Sequence, residues 1–128
     1  MAPISVTLSR RDPPAAVVAL VGEHDAYSSA RLENEFAVLL DEGRRLVVDL
    51  RDTTFVDSTT LSVLLGARHG AEQASLGFAL VLPEREYTQV HRILDLTGLV
   101  SAFATYYRLD DALAAVRAGV VGQPVRAA

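Results

Sequence analysis

Cysteine and lysine are both absent from the sequence. Without cysteine the chain can form no disulfide and no thiolate metal site, a composition that suits a cytoplasmic protein. Without lysine it cannot contain a phosphate-binding loop of the Gly-x-x-x-x-Gly-Lys type. These two absences exclude thiol-dependent chemistry and P-loop nucleotide hydrolysis.

An excess of basic residues is absent as well. The chain has 12 arginines against 16 acidic residues, a formal net charge of −4 and a pI near 5.3. Such a chain has no basic field that would collect phosphates, which argues against a nucleic-acid partner. No apolar run reaches the roughly 18 residues of a membrane span, and the N-terminus lacks a signal-peptide pattern. We therefore expect a cytoplasmic protein with no membrane insertion.

The apolar residues that are present suffice for one core. Half of the 128 residues are hydrophobic and 22% are charged. A domain of this length buries about two-thirds of the surface that its unfolded chain would expose. We expect one domain over residues 1–118. Residues 119–128 contain glycine, proline and small side chains, and we expect them to form a flexible tail.

The stretch from Leu46 to Leu65 combines a strand pattern with a helix pattern. Its first residues form a short apolar run, whereas leucines recur at helical spacing from Leu61 onward. The period changes at Asp57 and Ser58, whose side-chain oxygens are of the type that cap the first turn of a helix. We expect the helix to begin at Asp57 or Ser58, with Ser58 exposed at its N-terminus.

The strand and helix periods of hydrophobicity also predict the other secondary-structure elements. An alternating run at 4–8 and an apolar run at 15–21 predict an antiparallel hairpin, after which helix patterns alternate with short apolar runs. The further predicted strands lie near 47–50, 78–82 and 103–106, and the predicted helices begin at Ser28 or Ser29, at Ser58, near Val90 and at Leu109. The order β-β-α-β-α-β-α-β-α indicates an α/β fold with a mixed, mostly parallel sheet and helices packed on it.

Two polar segments follow strands that we expect to be neighbours in this sheet. They are Gly22 to Ser28, interpreted as a loop, and Arg51 to Ser58. If a right-handed crossover joins the two strands, both segments open at the same end of the sheet. Function in such sheets usually lies at the loops that leave the strand C-termini, so these two segments form the candidate site.

Catalytic and metal-binding patterns are not found. Ser58, His24 and Asp25 are the residue types of a hydrolytic triad, but the Gly-x-Ser-x-Gly nucleophile elbow is missing. The three histidines are widely separated and form no metal-binding pair. We therefore expect neither an enzyme nor a metal or cofactor. Simpler roles remain open: Ser58 as a helix cap only, Glu23 and Asp25 as solvated loop acids, and Arg68 and His69 on a solvated helix face.

Three segments carry a resemblance to a known family. Gly22-Glu-His-Asp25 resembles the Gly-Glu-hydrophobe-Asp loop of STAS domains, the class shared by sulfate-transporter tails and bacterial anti-sigma factor antagonists. Leu46 to Leu61 resembles the strand that leads to Asp-Ser-Ser/Thr-Gly-Leu in that family. Ile93 to Leu99 resembles its helix-ending element. The resemblance covers nearly the full length and implies a single STAS-like domain.

The resemblance implies a regulatory function. Ser58 matches the serine phosphorylated by an anti-sigma factor with a histidine-kinase-like ATPase fold, with Thr59 and Thr60 as alternative acceptors, and a serine phosphatase would act on the phosphorylated form. The chain would release a sigma factor by binding the anti-sigma factor, as a monomer or weak dimer. The alternative is a non-phosphorylated scaffold or a regulatory subunit of a transport complex. The residues expected to contact the partner are Glu23, His24, Asp25, Asp57, Ser58, Thr59, Thr60 and Leu61.

Two positions depart from the family pattern. Thr60 and Ser62 stand where the family commonly has glycine. Glycine at a helix start allows the backbone of a partner to approach closely, whereas a β-branched side chain occupies that space. We therefore expect Thr60 to crowd the usual docking pose.

Overall fold

The computed structural model describes residues 3–84 and 87–122. The strands are β1 Ile4–Leu8, β2 Ala15–Leu20, β3 Gly22–His24, β4 Arg45–Asp49, β5 Thr53–Val56, β6 Phe78–Val81 and β7 Ala104–Tyr106. The helices are α1 Ala26–Asp41, α2 Ser58–Gln73, α3 Gln89–Thr97 and α4 Leu109–Arg117, and a 3₁₀ turn spans Leu99–Ser101. No helix within the described ranges is long and apolar enough to cross a bilayer.

Five of the strands form the central sheet, in the order β1-β2-β4-β6-β7. The pair β1/β2 is antiparallel, and the other neighbouring pairs are parallel. This confirms the predicted α/β fold with a mixed, mostly parallel sheet that begins with a hairpin.

Alternation along the strands divides the apolar residues between the two faces of the sheet. In β4, Leu46 and Val48 belong to the larger core, which contains α1, α2 and α3 side chains such as Phe36 and Leu64. Val47, between them, packs with α4 on the opposite face. The sheet is thus covered on both sides, which explains why its inner strands read as continuous apolar runs.

The segment after β2 differs from the prediction of a polar loop followed by a helix capped at Ser28 or Ser29. Gly22–His24 is a short strand, and α1 begins at Ala26 with Asp25 as its N-cap. The Asp25 carboxylate accepts a hydrogen bond from the Tyr27 N–H at 2.9 Å. Aspartate caps as well as serine does, so the earlier polar residue takes the position. Ser29 is buried in the first turn.

Arg68 is buried, so the prediction that it lies on a solvated helix face is wrong. Its Nε donates to the Ala102 carbonyl at 2.7 Å and its Nη1 donates to Glu72 at 2.9 Å. These bonds offset part of the cost of burying a guanidinium, whose Nη2 is buried without a partner among the described residues. The helix pattern alone does not reveal them. His69, the next residue, is exposed as predicted.

The predicted tail is described in part. The Val120 carbonyl accepts a hydrogen bond from the Phe78 N–H at 2.9 Å, so the chain still contacts the start of β6 at this point. Residues 123–128 lie outside the described residues. The domain boundary at residue 118 and the tail beyond it remain predictions.

Candidate functional site

The two predicted loops meet through a second, smaller sheet. β3 pairs with β5 in parallel, with Glu23 opposite Phe55 and His24 opposite Val56. β5 leads directly into Asp57 and the start of α2. As expected from the topology, the segment before α1 and the segment before α2 therefore open at the same end of the molecule.

Asp57 caps α2 and leaves the hydroxyl of Ser58 outside the capping interaction. The Asp57 Oδ1 accepts a hydrogen bond from the Thr60 N–H at 2.8 Å. Ser58 is the first residue of the helix and is exposed. The reading of Ser58 as only a helix cap is therefore wrong, because Asp57 already performs that role. Ser58 presents its hydroxyl to solvent beside the positive end of a 16-residue helix.

Thr60 points into the protein. Its side chain is fully buried, and its hydroxyl oxygen lies 3.1 Å from the His24 carbonyl oxygen and 3.0 Å from Asp57 Oδ1. The expectation that Thr60 crowds a docking partner is therefore wrong, because the residue is buried and its hydroxyl group faces β3. Burial also removes Thr60 from the accessible alternative acceptors, whereas Thr59 is exposed.

His24 is fully buried, so its side chain does not form part of an exposed contact face. Its Nε2 lies 3.1 Å from the Val21 carbonyl oxygen, and its Nδ1 lies 3.1 Å from the Ser28 Oγ. A carbonyl only accepts, so Nε2 carries a proton; the Ser28 hydroxyl also lies 3.2 Å from the Asp25 carbonyl oxygen, so its one proton has two acceptors when the ring is neutral. Burial lowers the pKa of His24 below its ordinary value, although the Val21 hydrogen bond and the nearby Asp25 charge act in the opposite direction.

The remaining predicted contact residues divide by exposure. Leu61 is buried in the larger core. Glu23, Asp25, Ser58 and Thr59 are exposed, and Asp57 is half-buried. His24 occupies the position of the hydrophobic residue in the Gly-Glu-hydrophobe-Asp loop that this segment resembles, and that correspondence indicated a buried side chain. The exposed charged residues at this end of the molecule are Glu23 and Asp25 on the segment before α1, with Arg31 lining the same cavity as both of them.

Tyr27 is a candidate contact residue that the sequence reasoning did not select. Its side chain is 97% exposed on the first turn of α1. It borders a cavity of about 670 Å³ whose other lining residues are Pro3, Ile4, Val21, Gly22, Glu23, Asp25, Ser28 and Arg31. Tyrosine is among the residues enriched at the energetic centres of interfaces. The signal in the sequence was an aromatic residue two positions after the acidic cap.

The hydrolytic triad is not assembled. The His24 ring bonds Ser28 and the Val21 carbonyl, with no bond to Ser58. In residues 3–84 and 87–122, no group of three or more histidine, aspartate or glutamate side chains is placed to hold a metal ion. The exposed groups at this end of the molecule offer a hydroxyl, carboxylates and an aromatic ring.

Comparisons with known proteins identify relatives by sequence and by fold. The family model described as "Mlab, STAS domain" matches residues 8–116. The anti-sigma-B factor antagonist of Listeria monocytogenes is 31% identical over 98 residues, covering 75% of this chain and 82% of that protein. The Bacillus subtilis protein of the same name is 33% identical over 82 residues, covering 64% and 72%. The crystal structure of an anti-sigma factor antagonist from Mycobacterium paratuberculosis superposes with a TM-score of 0.71 at 32% identity, covering 90% of this chain and 95% of that one.

Proposed function

The chain belongs to the STAS domain family, and we propose that it is an anti-sigma factor antagonist that phosphorylation of Ser58 switches off. The observation that carries the proposal is that two adjacent residues at the start of α2 have different roles. Asp57 caps the helix, and Ser58, next to it, keeps an exposed hydroxyl beside the acidic residues of the β3 segment. In the unmodified state this surface binds an anti-sigma factor, and a sigma factor is released.

Phosphorylation changes binding more than folding. A phosphoserine adds about −1.5 to −2 charges at neutral pH. Placed at a helix N-terminus, that charge is favourable to the helix dipole, so the domain tolerates it. The partner surface, in contrast, fits a neutral hydroxyl and has to accept a dianion next to the Asp57 carboxylate, at the end of the molecule where Glu23 and Asp25 are also exposed. The anti-sigma factor dissociates while the antagonist stays folded.

The partner is expected to supply the kinase activity itself. The resemblance of Ser58 and its surroundings to the STAS phosphorylation motif supports an anti-sigma factor with a histidine-kinase-like ATPase fold, and a serine phosphatase that reverses the modification. The chain itself then acts as a binding protein rather than as an enzyme. Thr59, which is exposed next to Ser58, is the alternative acceptor that the structure leaves accessible.

Two variants of Ser58 and one charge control, each compared with wild type, test the switch. We measure binding of wild type, Ser58→Ala, Ser58→Asp and Ser62→Asp to the cognate anti-sigma factor. Ser62 is exposed one turn further along α2, so Ser62→Asp adds the same charge on the same helix. We expect Ser58→Ala to bind as wild type does, and Ser58→Asp to bind at least about tenfold more weakly than Ser62→Asp. Equal affinity of all four proteins would refute the switch.

Modification is tested separately by mass spectrometry after incubation with the anti-sigma factor and ATP. Phosphate on Ser58 that disappears on treatment with the phosphatase supports the proposal. A chain that remains unmodified and is isolated with a transport ATPase instead supports the scaffold or transport-subunit alternative. Ser58→Ala is the negative control, and phosphate on that variant would assign the modification to Thr59.

A further inference from the structure

Among residues 3–84 and 87–122, β5 has a strand partner on one side only. Within the described residues it pairs with β3 in a two-stranded sheet. In a parallel strand the N–H and C=O of one residue point to one side, and those of the next residue point to the other. The Asp57 N–H points toward β3 and donates to the His24 carbonyl at 3.2 Å. The N–H and C=O of Val56 therefore face away from β3.

The side-chain amide of Gln89 pairs with both of these Val56 groups. Its Oε1 accepts from the Val56 N–H at 2.9 Å, and its Nε2 donates to the Val56 carbonyl at 2.9 Å. A carboxamide offers an acceptor and donors much as a peptide group does. Gln89 thus takes the place of a neighbouring strand at the last residue of β5.

Gln89 is held in position by the helix that it begins. It is the first residue of α3, where Thr88 and His91 form reciprocal capping hydrogen bonds. The next residue, Val90, and Leu94 one turn later are both buried in the larger core. The amide therefore connects a helix anchored in the core to the backbone two residues before Ser58.

We propose that Gln89 is a positioning residue for Ser58, and this inference rests on the proposed function of Ser58 as the phosphorylated residue. The Gln89 amide fixes the Val56 peptide groups from the α3 side, while β3 fixes Asp57 from the other side. With both sides held, the turn presents the Ser58 hydroxyl in one orientation. Without the amide, Val56 loses two part-buried hydrogen bonds and the turn populates more conformations.

The variant Gln89→Met tests this inference because it removes both hydrogen bonds and keeps a side chain of similar length. The matched control is Gln73→Met, since Gln73 is an exposed glutamine at the far end of α2. Two quantities are measured: the hydrogen-exchange rate of the Val56 amide, and kcat/KM for phosphorylation of Ser58 by the anti-sigma factor. We expect Gln89→Met to raise the exchange rate of the Val56 amide about tenfold and to lower kcat/KM for phosphorylation about tenfold. Gln73→Met should change neither quantity.

A purely structural role of Gln89 would give a different pattern. In that case the amides of β4 and β6 would exchange faster by the same factor as Val56, and the inference would be overturned. Unchanged phosphorylation together with faster exchange at Val56 would also overturn it. Absence of phosphate on the wild-type chain would instead refute the proposed function, while Val56 exchange would still report whether Gln89 holds the strand.

Discussion

The central sheet and the small β3/β5 sheet are stabilised by different interactions. The inner strands β2, β4 and β6 are almost entirely buried and apolar, and helices cover both of their faces. β3 and β5 are instead joined to their surroundings by directed polar contacts. The Thr53 hydroxyl donates to the Leu20 carbonyl at 2.7 Å, and Gln89 and Thr60 hold the segment further along.

The two kinds of interaction have different consequences. Apolar burial in the central sheet mainly determines the stability of the domain, and the polar contacts of the small sheet mainly determine how the candidate site is oriented. Burial of apolar area contributes most of the free energy of folding but is not directional. Hydrogen bonds contribute less net stability, yet they fix the orientation of the groups that they join. We therefore expect substitutions in the central sheet to lower the free energy of unfolding most. Substitutions around β3 and β5 should lower it less, and should act on the Ser58 turn.

The largest effect is expected for Phe78→Ala in β6. Phe78 is fully buried, and its ring lies against those of Phe36 and Phe103, with centroids 6.3 and 6.1 Å away. Truncation removes these contacts and leaves a cavity, which costs about 3–5 kcal/mol. Urea-induced unfolding measures the loss. Leu96→Ala is the control, because Leu96 is 80% exposed and its loss should change stability by less than about 0.5 kcal/mol.

A smaller loss for Phe78→Ala than for polar substitutions beside β5 would show that apolar burial in the central sheet does not dominate the stability.

The difference between the two sheets also explains how much of the fold could be predicted from the sequence. The strands of the central sheet were predicted because their apolar runs of strand length reflect burial on both faces. β3 and β5 carry no such pattern: three and four residues long, they depend on tertiary hydrogen bonds from Gln89 and Thr60, and sequence periodicity does not record those bonds.

An intermediate effect is expected for Thr60→Val, which replaces the hydroxyl by a methyl group of nearly the same size. The His24 carbonyl and Asp57 Oδ1 then lose a buried hydroxyl within hydrogen-bond reach. Each acceptor keeps a backbone donor, the Asp57 N–H for the His24 carbonyl and the Thr60 N–H for Asp57 Oδ1, so the variant loses one buried hydrogen bond, worth about 0.5–1.5 kcal/mol. Thr59→Val is the matched control, since Thr59 is exposed. Denaturant unfolding of the two variants should differ by that amount, and equal stabilities would show that the hydroxyl does not tie α2 to β3.

Thr60 also shows why part of the site could not be derived from residue types alone. Its departure from a family glycine was visible in the sequence, but the direction of its side chain depends on where β3 lies. Because β3 runs beside the first turn of α2, the side chain turns inward and bonds the His24 carbonyl. A sequence pattern indicates which residue differs, whereas the neighbouring strand determines whether that difference faces a partner or the core.

The smallest effect is the pH dependence that His24 gives to the β3 segment. Its pKa in the folded protein is lowered, so the unfolded chain binds more protons than the folded one once the pH falls below the ordinary value of about 6.5. The free energy of unfolding should therefore decrease as the pH falls from about 7 toward the folded pKa of His24, and this contribution should be flat above about 7.5. Denaturant unfolding at a series of pH values across this range measures the decrease.

Two variants separate the contribution of His24 from that of other groups. His24→Leu, which places a hydrophobic residue at the buried position, should lack the contribution of His24 to the decrease, whereas His69→Leu, at an exposed position, should retain it. An identical decrease in wild type and His24→Leu would assign the pH dependence to other groups, and the β3 segment would then be no more sensitive to protonation than the central sheet.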